Sequence, residues 1–201
     1  MSAAEIRIMT RQEYLEWEEK QDTKHEFLDG IVYEVYAMTG ARDAHVTVAG
    51  NLFALCKSHL RGKPCRAYIS DMKVQLAESD GVFYPDVFVT CDPRDRDMDY
   101  HKSYPSLIVE VLSPSTAGYD RGNKFAAYRK IETLQEYALV DPSAFSVDLF
   151  RRNDSGHWVL YPTEKQGQVE FASIGLSVSM NDIFEDVEPS PPSAHPNLAI
   201  D

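Results

Sequence analysis

SLIVEVLSPSTAGYDRGNKFAAYRK, residues 106–130, decides how this chain is read. Its first part, Leu107-Ile108-Val109-Glu110-Val111-Leu112, is apolar on both faces, the pattern of a central strand covered from both sides. One acid, Glu110, stands among five aliphatic residues. The second part predicts a helix over about 120–131, directly after the strand. If that helix begins near Asp120, then Arg121, Lys124, Phe125 and Tyr128 lie three or four residues apart on one face. Lys124 and Tyr128 then point back toward the end of the Glu110 strand.

An isolated ionised carboxylate in such a strand is costly or takes up a proton. A cation, a Lys or Arg partner, or dense hydrogen bonding must compensate it. A second acid has the same setting: Asp86 in VFYPDVFVT (82–90), among Phe83, Tyr84, Val87, Phe88 and Val89. One buried strand acid is usually half of a structural ion pair. Two on consecutive strands that can pair side by side are better explained by a shared cation. A lysine beside such a pair can offset developing negative charge or orient a water nucleophile. Lys124 fits that role, although a solvated lysine closing a helix N-terminus has the same sequence. Lys73 in SDMKVQL (70–76) is the rival, one strand earlier. The stretch from Gly118 to Lys124 imitates a phosphate-binding loop but fails it. Three residues rather than four separate the glycines, Asn123 intervenes, and Phe125 replaces the required hydroxyl.

Outward from this stretch, Thr10 and Glu13 form a capping box for a short helix over 9–20. Asp29-Gly30 between two apolar runs predicts a hairpin. Residues 43–61 read as a helix stopped by Gly62. Strands are predicted over 67–76, 82–90, 106–113 and in QEYALVDP (135–142). SVDLFRR, HWVLYP and QVEFASI then alternate like an antiparallel meander. The fold class expected is α+β (mixed α/β): a central mixed sheet flanked by helices, with an N-terminal hairpin and C-terminal antiparallel strands. One domain over 5–187 and a Pro-rich disordered tail over 188–201 complete the organisation.

The 201 residues carry 20 Lys and Arg against 32 Asp and Glu, a formal net charge of −12. That balance argues against a broad nonspecific grip on nucleic acid. Hydrophobic residues at 43% exclude a fully disordered chain. No apolar run is long enough to span a membrane, and MSAAEIRIMTRQEYLEWEEK does not read as a secretory signal. Cys56, Cys65 and Cys91 have no CxxC spacing, so they are expected as reduced thiols of a cytoplasmic protein. Basic residues are local: Arg61, Lys63 and Arg66; Arg121, Lys124, Arg129 and Lys130; and Arg151-Arg152.

The series KHEFLDGIVYEV, AHVTVAGNL, YPDVFV, LIVEVLSPST, DRGNKFAAYRK and QEYALVDP resembles the Uma-two family over about residues 10–185. These are restriction-endonuclease-like proteins of the PD-(D/E)XK nuclease superfamily. The resemblance implies a restriction-endonuclease-like core and a Mg2+- or Mn2+-dependent endonuclease acting on DNA. Asp86 matches the first motif acid and Glu110 the second. The superfamily's usual lysine position, two residues after the second acid, holds Leu112 here, and the family's helix lysine matches Lys124. Asp86, Glu110 and the backbone carbonyl of Val111 would hold the ion. Glu26 is a candidate third carboxylate, and His45 a further candidate at the start of the 43–61 helix. Two other readings stand beside this one: an inactive binding or assembly protein on the same fold, and a hydrolase of a small phosphate-containing substrate. A homodimer is the arrangement that would best assemble a basic groove for a duplex.

Overall fold

The computed structural model describes residues 8–34, 43–163 and 167–188. The expected tail beyond residue 188 lies outside the described residues. Helix α1 (Arg11–Glu18) opens on the predicted capping box: the Thr10 N–H donates to the Glu13 carboxylate at 2.7 Å, and the Glu13 N–H to the Thr10 hydroxyl at 3.3 Å. Strands β1 (His25–Leu28) and β2 (Ile31–Glu34) form the predicted hairpin. Asp29 and Gly30 both have positive φ, 48° and 88°, as a two-residue type I′ turn demands. Helix α2 (Asp43–His59) buries Val48, Ala49, Leu52 and Cys56 along one stripe.

The segments 67–76 and 82–90, each expected as one strand, both break. The first becomes β3 (Arg66–Ile69) and β4 (Lys73–Gln75); the second becomes β5 (Gly81–Phe83) and β6 (Val87–Thr90). β3 pairs with β6 in one sheet, whereas β4 pairs with β5 in another. The single central sheet is therefore divided in two, and both breaks have local causes. Ser70 takes a positive φ of 42°. Pro85 has no N–H to give a ladder.

After β7 (His101–Lys102) comes the central strand β8 (Pro105–Val111). The helical segment that follows is three pieces in series: α3 (Ala117–Tyr119), a wide π-type turn over Asp120–Lys124, and α4 (Phe125–Tyr128). Strands β9 (Glu136–Asp141), β10 (Ser146–Arg152) and β11 (Trp158–Thr163) complete the first sheet. Its order is β11-β10-β9-β8-β6-β3, with β8 and β9 parallel and the other pairs antiparallel. The second sheet runs β2-β1-β5-β4-β7. QVEFASI does not extend the meander. Its strand β12 (Gln168–Phe171) pairs instead with β13 (Leu176–Ser179), which leads into α5 (Met180–Ile183).

Strand alternation sorts the core into two layers. Val87, Val89, Val109, Val111, Ala138 and Val140 face Leu52 and Cys56 of α2. Phe88, Ile108, Leu112 and Leu139 face Phe125 and Tyr128, together with Phe83 and Val74 of the second sheet. Glu110 and Asp86 have the parity of this second layer. The thiol expectation is corrected: Cys65 and Cys91 form a disulfide, and only Cys56 remains free. Arg66 faces Thr90 in the β3–β6 register, so one further step sets Cys65 opposite Cys91. The two cysteines are 26 residues apart, a spacing that carries no signature of the bond. Among the described residues, no helix is long and apolar enough to cross a membrane.

Glu136, fully buried, ties the β12–β13 unit to the first sheet. It accepts from Arg151 Nε at 2.8 Å, from the N–H groups of Ala172 (3.1 Å) and Ser173 (2.8 Å), and from Ser173 Oγ at 2.5 Å. Glu136→Ala leaves these donors unpaired and should cost about 3 kcal/mol. Thermal denaturation should show a drop of roughly 6–12 °C.

Candidate active site

The β6–β8 register pairs Val87 with Val109, so the next step sets Asp86 opposite Glu110. Asp86 sits where the chain leaves one sheet for the other, just before β6. Its Oδ2 accepts the Val111 N–H at 2.7 Å, and its Oδ1 lies 3.1 Å from His45 Nε2, in the first turn of α2. The N–H of Asp86 points at Glu110 Oε2 across 3.5 Å. Within a strand, the N–H and C=O of one residue face the same neighbour. The Val111 carbonyl is therefore turned to the same side as Asp86.

Glu110 is buried, and its Oε1 collects two donors. The Tyr128 hydroxyl donates at 2.9 Å and Lys124 Nζ lies at 3.0 Å. Lys124 Nζ also lies 2.9 Å from Glu26 Oε1 and 3.8 Å from Asp120 Oδ1. The Tyr84 N–H donates to the same Glu26 oxygen at 3.1 Å. Lys124 is thus a buried ammonium inside three buried carboxylates, its side chain 7% exposed. The wide turn over Asp120–Lys124 changes the phase of the helical face. Arg121, expected beside Lys124, turns outward to Asp148 at 3.0 Å, while Lys124 and Tyr128 turn inward.

The electrostatics follow from burial. Desolvation drives the Glu110 carboxyl well above the usual range, and the charges of Asp86, Asp120 and Glu26 add to it against Lys124. Burial likewise raises Asp120. Burial alone would depress Lys124, but Glu110, Glu26 and Asp120 outweigh it and hold the ammonium firmly protonated. Burial opposes the charged form of His45 too, yet the hydrogen bond and charge of Asp86 raise it. Tyr128 is pushed far up by burial and by Glu110, so it stays a phenol and a donor.

Three carboxylates surround the Lys124 ammonium, and Asp86 stands beside Glu110 against His45. The donors Asp86, Glu110 and the Val111 carbonyl are hard oxygens of the kind magnesium and manganese take. Asp86 keeps a side-chain exposure of 20%, an approach from solvent that Glu110 lacks. Among the described residues, no three His, Cys, Asp or Glu side chains are arranged to chelate an ion by themselves. Two carboxylates with a carbonyl and several waters suit magnesium, which dehydrates reluctantly. The residues present fit such an ion.

Asp86, Glu110, Lys124, Glu26 and His45 therefore lie in one connected cluster. Glu26, however, is turned to Lys124 and the Tyr84 backbone. Lys73 makes no ion pair with the acids among the described contacts; its Nζ lies 5.8 Å from the centre of the Tyr84 ring. Sequence reading missed Asp120, whose i, i+4 spacing to Lys124 was a readable signal. It also missed Glu18, which is joined to the site through Tyr84 and carries no local signal. Arg61, Lys63 and Arg66 lie at the far end of the first sheet: Arg66 faces Thr90, four strand residues or roughly 13 Å from Asp86.

Lys124→Met leaves Glu26, Glu110 and Asp120 without their cation and should cost about 3 kcal/mol near neutral pH. A carboxylate whose folded pKa is raised gives stability present below its unfolded pKa and lost as pH rises through the folded one. The Lys124→Met penalty should therefore shrink as pH falls toward the ordinary carboxylate range. Urea denaturation at several pH values would read this; a penalty independent of pH would contradict the charge cluster.

A family model described as "Uma2: Putative restriction endonuclease" matches residues 11–181. Two proteins of Synechocystis sp. are similar over most of their length. Uncharacterized protein slr1290 is 42% identical over 88% of this chain and 91% of its own. Uncharacterized protein sll1609 is 37% identical over 86% of this chain and 97% of its own. Among solved structures, a "putative nuclease belonging to DUF820" from Anabaena variabilis superposes with a TM-score of 0.70. It covers 88% of this chain and 97% of that chain at 18% identity, a likeness of fold.

Proposed function

Because this chain belongs to the Uma2 family of restriction-endonuclease-like proteins, we propose that it is a metal-dependent endonuclease that hydrolyses phosphodiester bonds in DNA. The family match supports a nuclease-like role. The observation that carries the finer reading is the Lys124 ammonium, buried 3.0 Å from Glu110 and beside the Asp86–Glu110 pair. Asp86, Glu110 and the Val111 carbonyl would hold one Mg2+ or Mn2+. Such an ion supplies Lewis-acid polarisation of a phosphodiester oxygen.

The chain's own groups do the rest. Lys124, held protonated by its carboxylates, opposes the charge that grows on the phosphate and orients the attacking water. Glu26 and Tyr128 are positioning residues: Glu26 holds the ammonium from one side, and Tyr128 fixes the Glu110 oxygen that holds it from the other. His45 orients Asp86.

Plasmid nicking with Mg2+ or Mn2+, alongside calorimetric titration of Mn2+, tests this. Lys124→Ala should lower the nicking rate about 100-fold or more while Mn2+ still binds, because the lysine acts on transition-state charge. Asp86→Asn should weaken Mn2+ binding itself. A larger loss in Lys73→Ala than in Lys124→Ala would move the catalytic role to β4. No cleavage by the wild-type protein of single- or double-stranded DNA would overturn the endonuclease reading in favour of a binding protein.

A further inference from the structure

One edge of the first sheet is open. Strand β11 stands last in its order, and among the described residues no strand pairs with its outer side. The ladder beside it decides which of its backbone groups face outward. The Arg152 N–H donates to the Gln135 carbonyl at 2.8 Å, on the β9 side of β10, and the Asn153 N–H donates to the His157 carbonyl at 2.8 Å, on the β11 side. In an antiparallel ladder the N–H and C=O of one residue face the same neighbour, and successive residues alternate. Val159, Tyr161 and Thr163 are therefore bonded to β10, whereas Trp158, Leu160 and Pro162 turn their backbone groups to the open edge. Pro162 has no N–H, and in this place the lack takes nothing from the β10–β11 ladder. The edge thus offers two donors, on Trp158 and Leu160, and three carbonyls.

Three consecutive apolar side chains of the strand are also exposed: Val159 by 38%, Leu160 by 45% and Tyr161 by 46%. In a chain of net charge −12, Trp158–Thr163 carries no charged residue. An uncharged apolar strand with open hydrogen-bonding groups is the kind of edge that takes on another strand. A second copy of this chain complements it. With β11 antiparallel to its copy and Leu160 opposite Leu160, the two leucines exchange both bonds. Each Trp158 N–H then meets the Pro162 carbonyl of the other copy, so all four outward N–H groups of the pair are satisfied. Val159 stands against Tyr161 of the other copy and Trp158 against Pro162, both apolar pairs. The flanking charges match as well. Arg152 lies beside Trp158 and Asp148 beside Pro162, so Arg152 of one copy comes into line with Asp148 of the other rather than with a like charge.

We propose that the protein forms a two-fold dimer through β11, in which the six-stranded first sheet runs on into that of a second copy. The axis relating antiparallel copies of one strand stands perpendicular to the sheet, so both Asp86–Glu110 pairs lie on the same side of the joined sheet. A single edge strand is a small interface, which sets the association in the micromolar range. The dimer does not depend on the nuclease reading.

Sedimentation velocity of the full chain, from nanomolar to high micromolar concentration, tests this. The wild-type protein should pass from monomer to dimer across that range. Leu160→Pro removes an N–H that no strand of the same chain uses, and an edge strand tolerates proline at such a position. It should keep the wild-type circular dichroism and raise the dissociation constant roughly 30-fold, since two hydrogen bonds between the copies are lost. Leu160→Lys, which sets two ammonium groups opposite each other, should weaken the dimer likewise. Val46→Lys, at an exposed apolar residue of α2, should leave it intact. A wild-type protein that stays monomeric throughout would overturn the proposal, as would a dimer whose dissociation constant is unchanged in the Leu160 variants. Neither result touches the plasmid-nicking test.

Discussion

The structure depends on one buried ammonium. Lys124 lies among Glu26, Glu110 and Asp120, all nearly inaccessible to water. Remove its charge, and three carboxylates are left in a low-dielectric layer packed with Phe83, Phe125 and Tyr128. Buried charge of this kind is weak evidence for stability, since well-packed apolar side chains would do as well or better. A fold that keeps it concentrates perturbed groups in one place, which is where chemistry is expected.

The architecture serves that cluster. Two strand segments break and change sheets, and the second break leaves Asp86 at the junction rather than inside a ladder. The crossover lets β1 of the second sheet bring Glu26 to the same lysine that the β8–β9 connection delivers. The wide turn over Asp120–Lys124 then supplies the phase that points Lys124 inward and Arg121 outward. Three chain segments far apart in sequence thus meet on one face of the first sheet. The opposite face is left to aliphatic packing against α2.

Much of this was legible in the chain itself. The apolar run around Glu110 identified the central strand, and Asp29-Gly30 and Thr10–Glu13 marked a hairpin and a helix start by local chemistry. The pairing of Asp86 with Glu110 followed from strand alternation, whereas the side on which Lys124 stands was expected from a regular helical spacing that the wide turn over Asp120–Lys124 replaces. What escaped was non-local. The division into two sheets depends on which strands pair, and a continuous apolar segment does not say where it changes partner. The Cys65–Cys91 bond needs the β3–β6 register. Glu26 was a candidate third carboxylate on the strength of the resemblance, and only the packing shows it turned to Lys124 and the Tyr84 backbone. The docking of the β12–β13 unit on the first sheet runs through Glu136, whose four donors come from two distant segments.

The account stands on a divalent ion being held beside Lys124 by the strand carboxylates. A crystal structure of the protein soaked in Mn2+, with anomalous scattering recorded at the manganese edge, examines this directly. The account predicts a peak bound by the carboxylates of Asp86 and Glu110, with the Lys124 ammonium retained against Glu110. A peak elsewhere on the chain, with the Asp86–Glu110 pair empty at saturating Mn2+, would contradict it.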